Sequence, residues 1–163
     1  MAKYKEESTS GFEEKVLYIN RCSKVVKGGR KFSFSALILI GDGKGRVGYG
    51  FAKANEVSDA IRKGTDAAHK NMMDIVMDGT TIPHEVYVEW DGAKLLLKPA
   101  PEGAGIVAGS KVRSVLELGG VKNVIAKSLG SSNPFNLVKA AFKALKSLRR
   151  REDVMAERSV SHA

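Results

Sequence analysis

Glycine sets the path of the first third of this chain. Gly28-Gly29 stands between two β-rich runs, and Gly41-Asp42-Gly43-Lys44-Gly45 follows after the second of them. Both groups supply the positive φ that tight reversals need, so the chain must double back twice. Residues 15–26, 31–40 and 46–52 are accordingly predicted as three consecutive antiparallel strands. Val16, Tyr18 and Cys22 alternate along the first, with Leu17 and Ile19 interrupting. The second alternates at its start and is wholly apolar at Ala36-Leu37-Ile38-Leu39-Ile40. The third puts Val47, Tyr49 and Phe51 on one face and glycines on the other. Asn55 then suits the N-cap of a helix running to about Met77, with Val57, Ile61, Gly64, Ala68, Met72 and Ile75 as its packing stripe and Asp78-Gly79 as its stop. Three strands under one helix make a complete small α+β layer.

After a short linker at residues 80–83, a second unit begins. Residues 84–90 and 93–98 read as strands joined by Asp91-Gly92, a strong two-residue hairpin signal. A helix over 106–118 closed by Gly119-Gly120 and a strand over 122–128 follow. A last helix opens with Asn133 as cap and Pro134 at its first position. Phe135, Val138, Phe142 and Leu145 form its apolar stripe, while Lys139, Lys143, Lys146 and Arg150 form a basic one. The expected organisation is a mobile arm (1–13), a first domain (14–79), a second α/β domain (80–150) and a tail (151–163) that is either a short helix or disordered. The fold class is α+β. There is no internal sequence repeat.

Charge narrows the function. The 163 residues carry 27 Lys and Arg against 18 Asp and Glu, a net charge of +9. That balance favours a polyanionic partner, nucleic acid before an acidic membrane surface. Aromatics make up 7%, too few for large stacking platforms. The single cysteine, Cys22, excludes an internal disulfide and fits a reducing cytosol as a half-buried strand residue. No apolar run reaches the ~20 residues of a membrane span.

The cations concentrate around the first glycine pair. Arg21, Lys24, Lys27, Arg30 and Lys31 fall within eleven residues that hold no acidic one. Gathering them gains nothing inside a folded chain, whereas phosphate would relieve their repulsion and release counterions. Gly28 and Gly29 let backbone N–H groups approach closely. Lys44 and Arg46 in the second loop, and Lys53 beyond it, extend the candidate phosphate-binding set. Phe32 either stacks on a base or packs on the sheet, and packing is favoured.

Gly43-Lys44-Gly45-Arg46-Val47-Gly48 also matches G-x-G-x-x-G. A dinucleotide fingerprint sits between strand and helix, and this segment sits between two strands. A nucleotide-binding enzyme is therefore the weaker alternative. Ser131, Ser132 and Asn133 before the last helix are either an anion site at a helix N-terminus or an ordinary cap. His69, His84 and His162 are scattered, with no zinc-ligand spacing, so no metal or cofactor is expected.

The basic loop from Lys24 to Arg30, Phe32-Ser33-Phe34, the run from Gly41 to Gly50, and Ala52-Lys53-Ala54-Asn55-Glu56-Val57 together resemble the bacterial S-five family of small-subunit ribosomal proteins. Lys98-Pro99-Ala100-Pro101-Glu102-Gly103-Ala104-Gly105-Ile106 and Gly130-Ser131-Ser132-Asn133-Pro134 resemble its later blocks, with Ala104 where threonine is common. The resemblance implies a first domain like a double-stranded-RNA-binding domain with its leading helix shortened or missing. It implies a second domain of a ribosomal α/β sandwich type. It further implies a non-enzymatic, cytoplasmic constituent of the small subunit that binds rRNA, steadies the head against the body and contributes to translational accuracy. Implied neighbours are ribosomal proteins S-four and S-eight and the path by which messenger RNA enters. The loop at 24–31 matches the family segment near the spectinomycin site, implying an effect on sensitivity to that drug. A free double-stranded-RNA-binding module is the other alternative.

Overall fold

The computed structural model describes residues 11–160. Most of the expected arm lies outside them, as does His162. The elements are β1 (Glu13–Val26), β2 (Gly29–Gly41), β3 (Arg46–Ala54), α1 (Val57–Lys70), β4 (Met73–Asp74), β5 (Val86–Trp90), β6 (Ala93–Pro99), β7 (Ile106–Val107), α2 (Ser110–Leu118), β8 (Val124–Ser128), α3 (Pro134–Lys146) and α4 (Arg151–Val160). They form two four-stranded sheets, β1-β2-β3-β4 and β5-β6-β8-β7. The first is antiparallel throughout, and β7 lies parallel to β8 in the second. The α+β class holds.

The apolar end of β2 is buried on both faces. Ala36, Ile38 and Ile40 pack with Ala60 and Ala68 of α1. Leu37 and Leu39 point the other way and join a larger cluster with Val47, Val115, Leu116, Phe142 and the inner face of the second sheet. A strand covered on both sides reads as a continuous apolar run, as this one does.

Glycine brings α1 directly onto β3. A Cβ on Gly48 would strike the carbonyl oxygen of Ala68, and one on Gly50 the carbonyl oxygen of Gly64. From the helix side, a Cβ on Gly64 would come within 2.7 Å of Ile38 Cδ1. Ala60, Gly64 and Ala68, four residues apart, are the helix's buried stripe.

The opposite face of the first sheet closes on α2 and α3. The Gly43 N–H donates to the Leu118 carbonyl at 2.9 Å, and Gly120 abuts Gly43 so closely that a Cβ would hit its carbonyl. Tyr49 meets Phe142 at 4.6 Å between ring centroids, and Phe51 meets Phe135 at 5.0 Å. Lys15 pairs with Glu117 at 3.0 Å. The two sheets therefore share one core. The expected linker at 80–83 is part of it: Ile82 is buried, and the Thr80 carbonyl accepts from the N–H groups of Lys122 and Asn123.

Several expected boundaries move. α1 ends at Lys70, not Met77, and its N-cap is Glu56, not Asn55, with no side-chain cap bond. After Asn71 the chain reverses, Met73 and Asp74 pair with Val47 and Arg46, and the Ile75 N–H donates to the Gly45 carbonyl at 2.7 Å. Met72 and Ile75 keep helical spacing but reach the interior from extended backbone, an ambiguity that periodicity cannot resolve for short apolar runs. Asp78-Gly79 is a separate turn, bridged to Thr81. Residues 106–107 are a strand, and α2 starts only at Ser110. Phe12, expected in the arm, sets its ring edge-on to His69 at 5.7 Å. The interruption at Leu17 is a register shift between Val16 and Tyr18. Asp91-Gly92 behaves as expected, with both φ values positive at 45° and 79°, and the tail is helical.

The two kinds of glycine separate in a stability test. Gly50→Ala should cost about 3 kcal/mol, because backbone rather than a movable side chain blocks the new methyl. Gly28→Ala meets nothing within 4 Å and carries only the strain of φ +94°, about 1 kcal/mol. Urea midpoints of the two variants check the ranking.

Candidate nucleic-acid interface

β3 covers β2 only from Phe34 to Gly41. From Gly29 to Ser33, β2 pairs with β1 alone, and the pair projects as a two-stranded ribbon. Its tip is Lys27-Gly28, and the φ values of Gly28 and Gly29 are 94° and 153°. A Cβ at either would meet nothing within 4 Å. These glycines serve the turn, and the space around them is open to a ligand.

The ribbon carries all five expected cations. Lys24 stands directly across from Lys31, and Val25 from Arg30. Like charges facing each other across a strand pair destabilise it. Among the described residues, none of Lys24, Lys27, Arg30 and Lys31 has a carboxylate partner. Arg21 is placed differently, its guanidinium lying 3.8 Å from the centroid of the Phe32 ring. That contact keeps a half-exposed aromatic and a cation together at the base of the ribbon. Val25, beside the tip, is 76% exposed. Lys53 pairs with Ser35 across β3 and β2. By the alternation of strand faces, it lies on the same face as Lys31 and Lys24.

The second glycine loop is elsewhere and otherwise engaged. It lies at the far end of β2, thirteen residues away, or roughly 40 Å at the usual rise per strand residue. Asp42 organises it. Its Oδ1 accepts from the N–H groups of Lys44 at 2.8 Å and Arg46 at 3.0 Å. Its Oδ2 accepts from Arg46 Nε at 3.0 Å. Arg46 thus has an internal partner, while Lys44 projects its side chain into solvent. The loop's backbone is occupied by the seam with α2. Gly45 lies against Met77 Cε, 3.4 Å from its ideal Cβ. The G-x-G-x-x-G segment spans a turn between β2 and β3, and no helix follows it directly.

The start of α3 is a filled cap. Asn133 Oδ1 accepts from the Phe135 N–H at 3.1 Å, and Ser131 Oγ accepts from the Asn133 N–H at 3.3 Å. Ser131 is tied to the β5–β6 turn through its own N–H and the Gly92 carbonyl. Asn136 reaches the Asp91 carbonyl and carboxylate at 2.9 and 3.2 Å. Ser132 remains exposed. The three residues stand at the start of α3 rather than on the β1–β2 ribbon, and Ser131 and Asn133 already bond within the cap.

Two family models match successive parts of the chain. Residues 12–76 match the family described as ribosomal protein S5, N-terminal domain, and residues 88–158 match ribosomal protein S5, C-terminal domain. The chain belongs to the ribosomal protein S5 family. Small ribosomal subunit protein uS5 of Protochlamydia amoebophila (strain UWE25) is 67% identical over 158 residues, covering 97% of this chain and 95% of that protein. The uS5 of Chlamydia abortus (strain DSM 27085 / S26/3) is 70% identical over 151 residues, 92% of each chain. That of Chlamydia trachomatis serovar D (strain ATCC VR-885 / DSM 19411 / UW-3/Cx) is 67% identical over 149 residues, covering 91% of this chain and 90% of that protein. The S5 matches thus include both sheets and α4 through Arg158. Among the described residues, no group of three His, Cys, Asp or Glu could hold a metal ion, and no helix is long and apolar enough to cross a membrane.

Sequence reasoning missed the brace at Asp42. Its signal was present, an aspartate two and four residues before the N–H groups that it binds. Burial alone raises the Asp42 pKa, but the hydrogen bonds from Arg46 and Lys44 and the charge of Arg46 outweigh it and hold it below its ordinary 3.8. A carboxyl depressed by folding stabilises the fold above its unfolded pKa, and that stability is lost as pH falls through the folded value. Asp42→Ala should lower stability by about 1–2 kcal/mol at neutral pH. The gap to the unmodified chain should narrow as the pH drops below 3.8. Urea titrations across that range measure it.

Proposed function

We propose that the chain is a structural, non-catalytic component of the small ribosomal subunit in the bacterial cytoplasm, gripping folded rRNA with the β1–β2 ribbon. One observation carries the reading of the site: among the described residues, four cations on a projecting ribbon lack carboxylate partners, around a tip whose glycines leave open space. Counterion release on meeting phosphate would turn their mutual repulsion into affinity. Membership in the S5 family supports the ribosomal setting, as do relatives named as small ribosomal subunit proteins.

In this reading Lys24, Lys27, Arg30 and Lys31 contact phosphate, and Gly28 and Gly29 permit close approach. Arg21 and Lys53 continue the grip at the ribbon's base. Lys44 and Arg46 contact RNA from the opposite end of the sheet, Arg46 with the guanidinium edge that Asp42 leaves free. Ser131, Ser132 and Asn133 are the weakest members, because their cap is already satisfied. Specificity comes from the shape of the folded RNA, since the A-form major groove is too narrow for side chains to read. The layers at 14–79 and 80–150 act as one block, which suits a part that steadies the head against the body and thereby supports accurate decoding. Ribosomal proteins S-four and S-eight and the path by which messenger RNA enters are its proposed neighbours. The ribbon's proposed place near the spectinomycin site makes it a modulator of drug sensitivity.

A nucleotide-binding enzyme is disfavoured by the loop at Gly43, whose backbone is held by Asp42 and Leu118. In a sucrose gradient of cell extract, the chain should travel with small subunits and remain there at moderate salt. Recovery only at the top would favour a free duplex-binding module instead. Lys27→Ala with Arg30→Ala should weaken association with small-subunit rRNA and lower the slope of log affinity against log salt by about one to two. An unchanged slope rejects phosphate contact at the tip.

A further inference from the structure

A second surface combines aromatic rings with cations, away from the ribbon tip. Trp90, at the end of β5, is 38% exposed, and Phe51, near the end of β3, is 50% exposed. α3 runs between them and presents Phe135, Lys139 and Lys143 at four-residue steps, along one side of the helix. Lys139 Nζ lies 5.4 Å from the Trp90 ring and 4.5 Å from the Phe135 ring. Phe135 in turn meets Phe51 at 5.0 Å. Lys143 Nζ sits 5.5 Å from the Trp90 ring and donates to the Glu89 carbonyl at 3.2 Å. The strip is thus continuous from the second sheet to the first.

Its charge is not cancelled. Among the described residues, neither Lys139 nor Lys143 has a carboxylate partner. The nearest acids in sequence are engaged elsewhere. Glu89 is held by Lys94 at 3.0 Å and by the Tyr87 hydroxyl at 2.8 Å, and Asp91 accepts from Asn136. Lys53 lies two residues beyond Phe51 on the same face of β3, toward the Lys31 and Lys24 side of the ribbon. Half-exposed rings between unpaired cations match a strand whose bases are unstacked and whose phosphates follow at short intervals. A duplex hides its base faces and offers nothing to the rings. An acidic peptide offers charge but no flat partner for them.

We infer that this strip binds single-stranded RNA, with bases stacking on Trp90 and Phe51 and phosphates held by Lys139, Lys143 and Lys53. The site goes beyond the ribbon's grip on folded rRNA and shares only Lys53 with it.

Trp90 is the chain's single tryptophan, so all indole fluorescence comes from the site. The full chain is titrated with a short labelled oligoadenylate, with label anisotropy reporting binding and indole emission reporting stacking. Emission should be quenched in step with binding. Phe51→Ser and the pair Lys139→Gln with Lys143→Gln should each weaken binding by roughly tenfold while the urea midpoint shows the fold intact. Lys27→Ala with Arg30→Ala should keep the quench, which separates this site from the ribbon. Inorganic polyphosphate should compete without quenching. Binding without quenching overturns the inference. So does unchanged affinity in folded strip variants, or equal quenching by polyglutamate.

Discussion

Backbone touching backbone is the contact on which this structure depends. At Gly48 and Gly50 the first sheet has no side chains to hold α1 away, and Gly64 removes the obstacle from the helix side. On the other face, Gly41 and Gly120 let the end of α2 close on the β2–β3 turn, where the Gly43 N–H meets the Leu118 carbonyl. β2 is left with no face toward water along its apolar half. Everything that makes the two sheets one body follows from that double closure.

Such a block can carry an arm. The β1–β2 ribbon continues past the last β3 partner, and its root is clamped while its length is not. Among the described residues, Lys24, Lys27, Arg30 and Lys31 on the arm have no carboxylate partner, whereas Arg46 and Lys15 toward the opposite end of β2 do. Arg46 belongs to Asp42, and Lys15 to Glu117. Charge among the described residues therefore comes in two kinds that composition alone cannot tell apart, one paired within the fold and one without a carboxylate partner.

The succession of β1, β2 and β3 and the β5–β6 hairpin were legible in the sequence because glycine pairs and Asp91-Gly92 permit few other paths, whereas the short strands β4 and β7 were not. The α3 start was equally plain, since Asn133 and Pro134 signal both cap and first turn. The last two turns of the expected first helix were misread because Met72 and Ile75 repeat at helical spacing whichever backbone carries them. What separates the two cases is the pairing of Met73 with Val47, a contact between residues far apart in sequence. The ribbon's cations were found from their clustering. The seam between the sheets was hidden, because glycines at a close approach look the same in sequence as glycines in a turn. The aromatic strip along α3 was hidden for a similar reason: its rings come from three separate elements.

The facing lysines at positions 24 and 31 also bear on motion. A strand pair that lacks a third neighbour and repels itself is the region whose amide hydrogens exchange with solvent first, well before the doubly covered half of β2 opens. The free protein is then a stiff body with a breathing limb. If phosphate is the counter-charge, as proposed, the limb's order would depend on the bound RNA rather than on the chain alone.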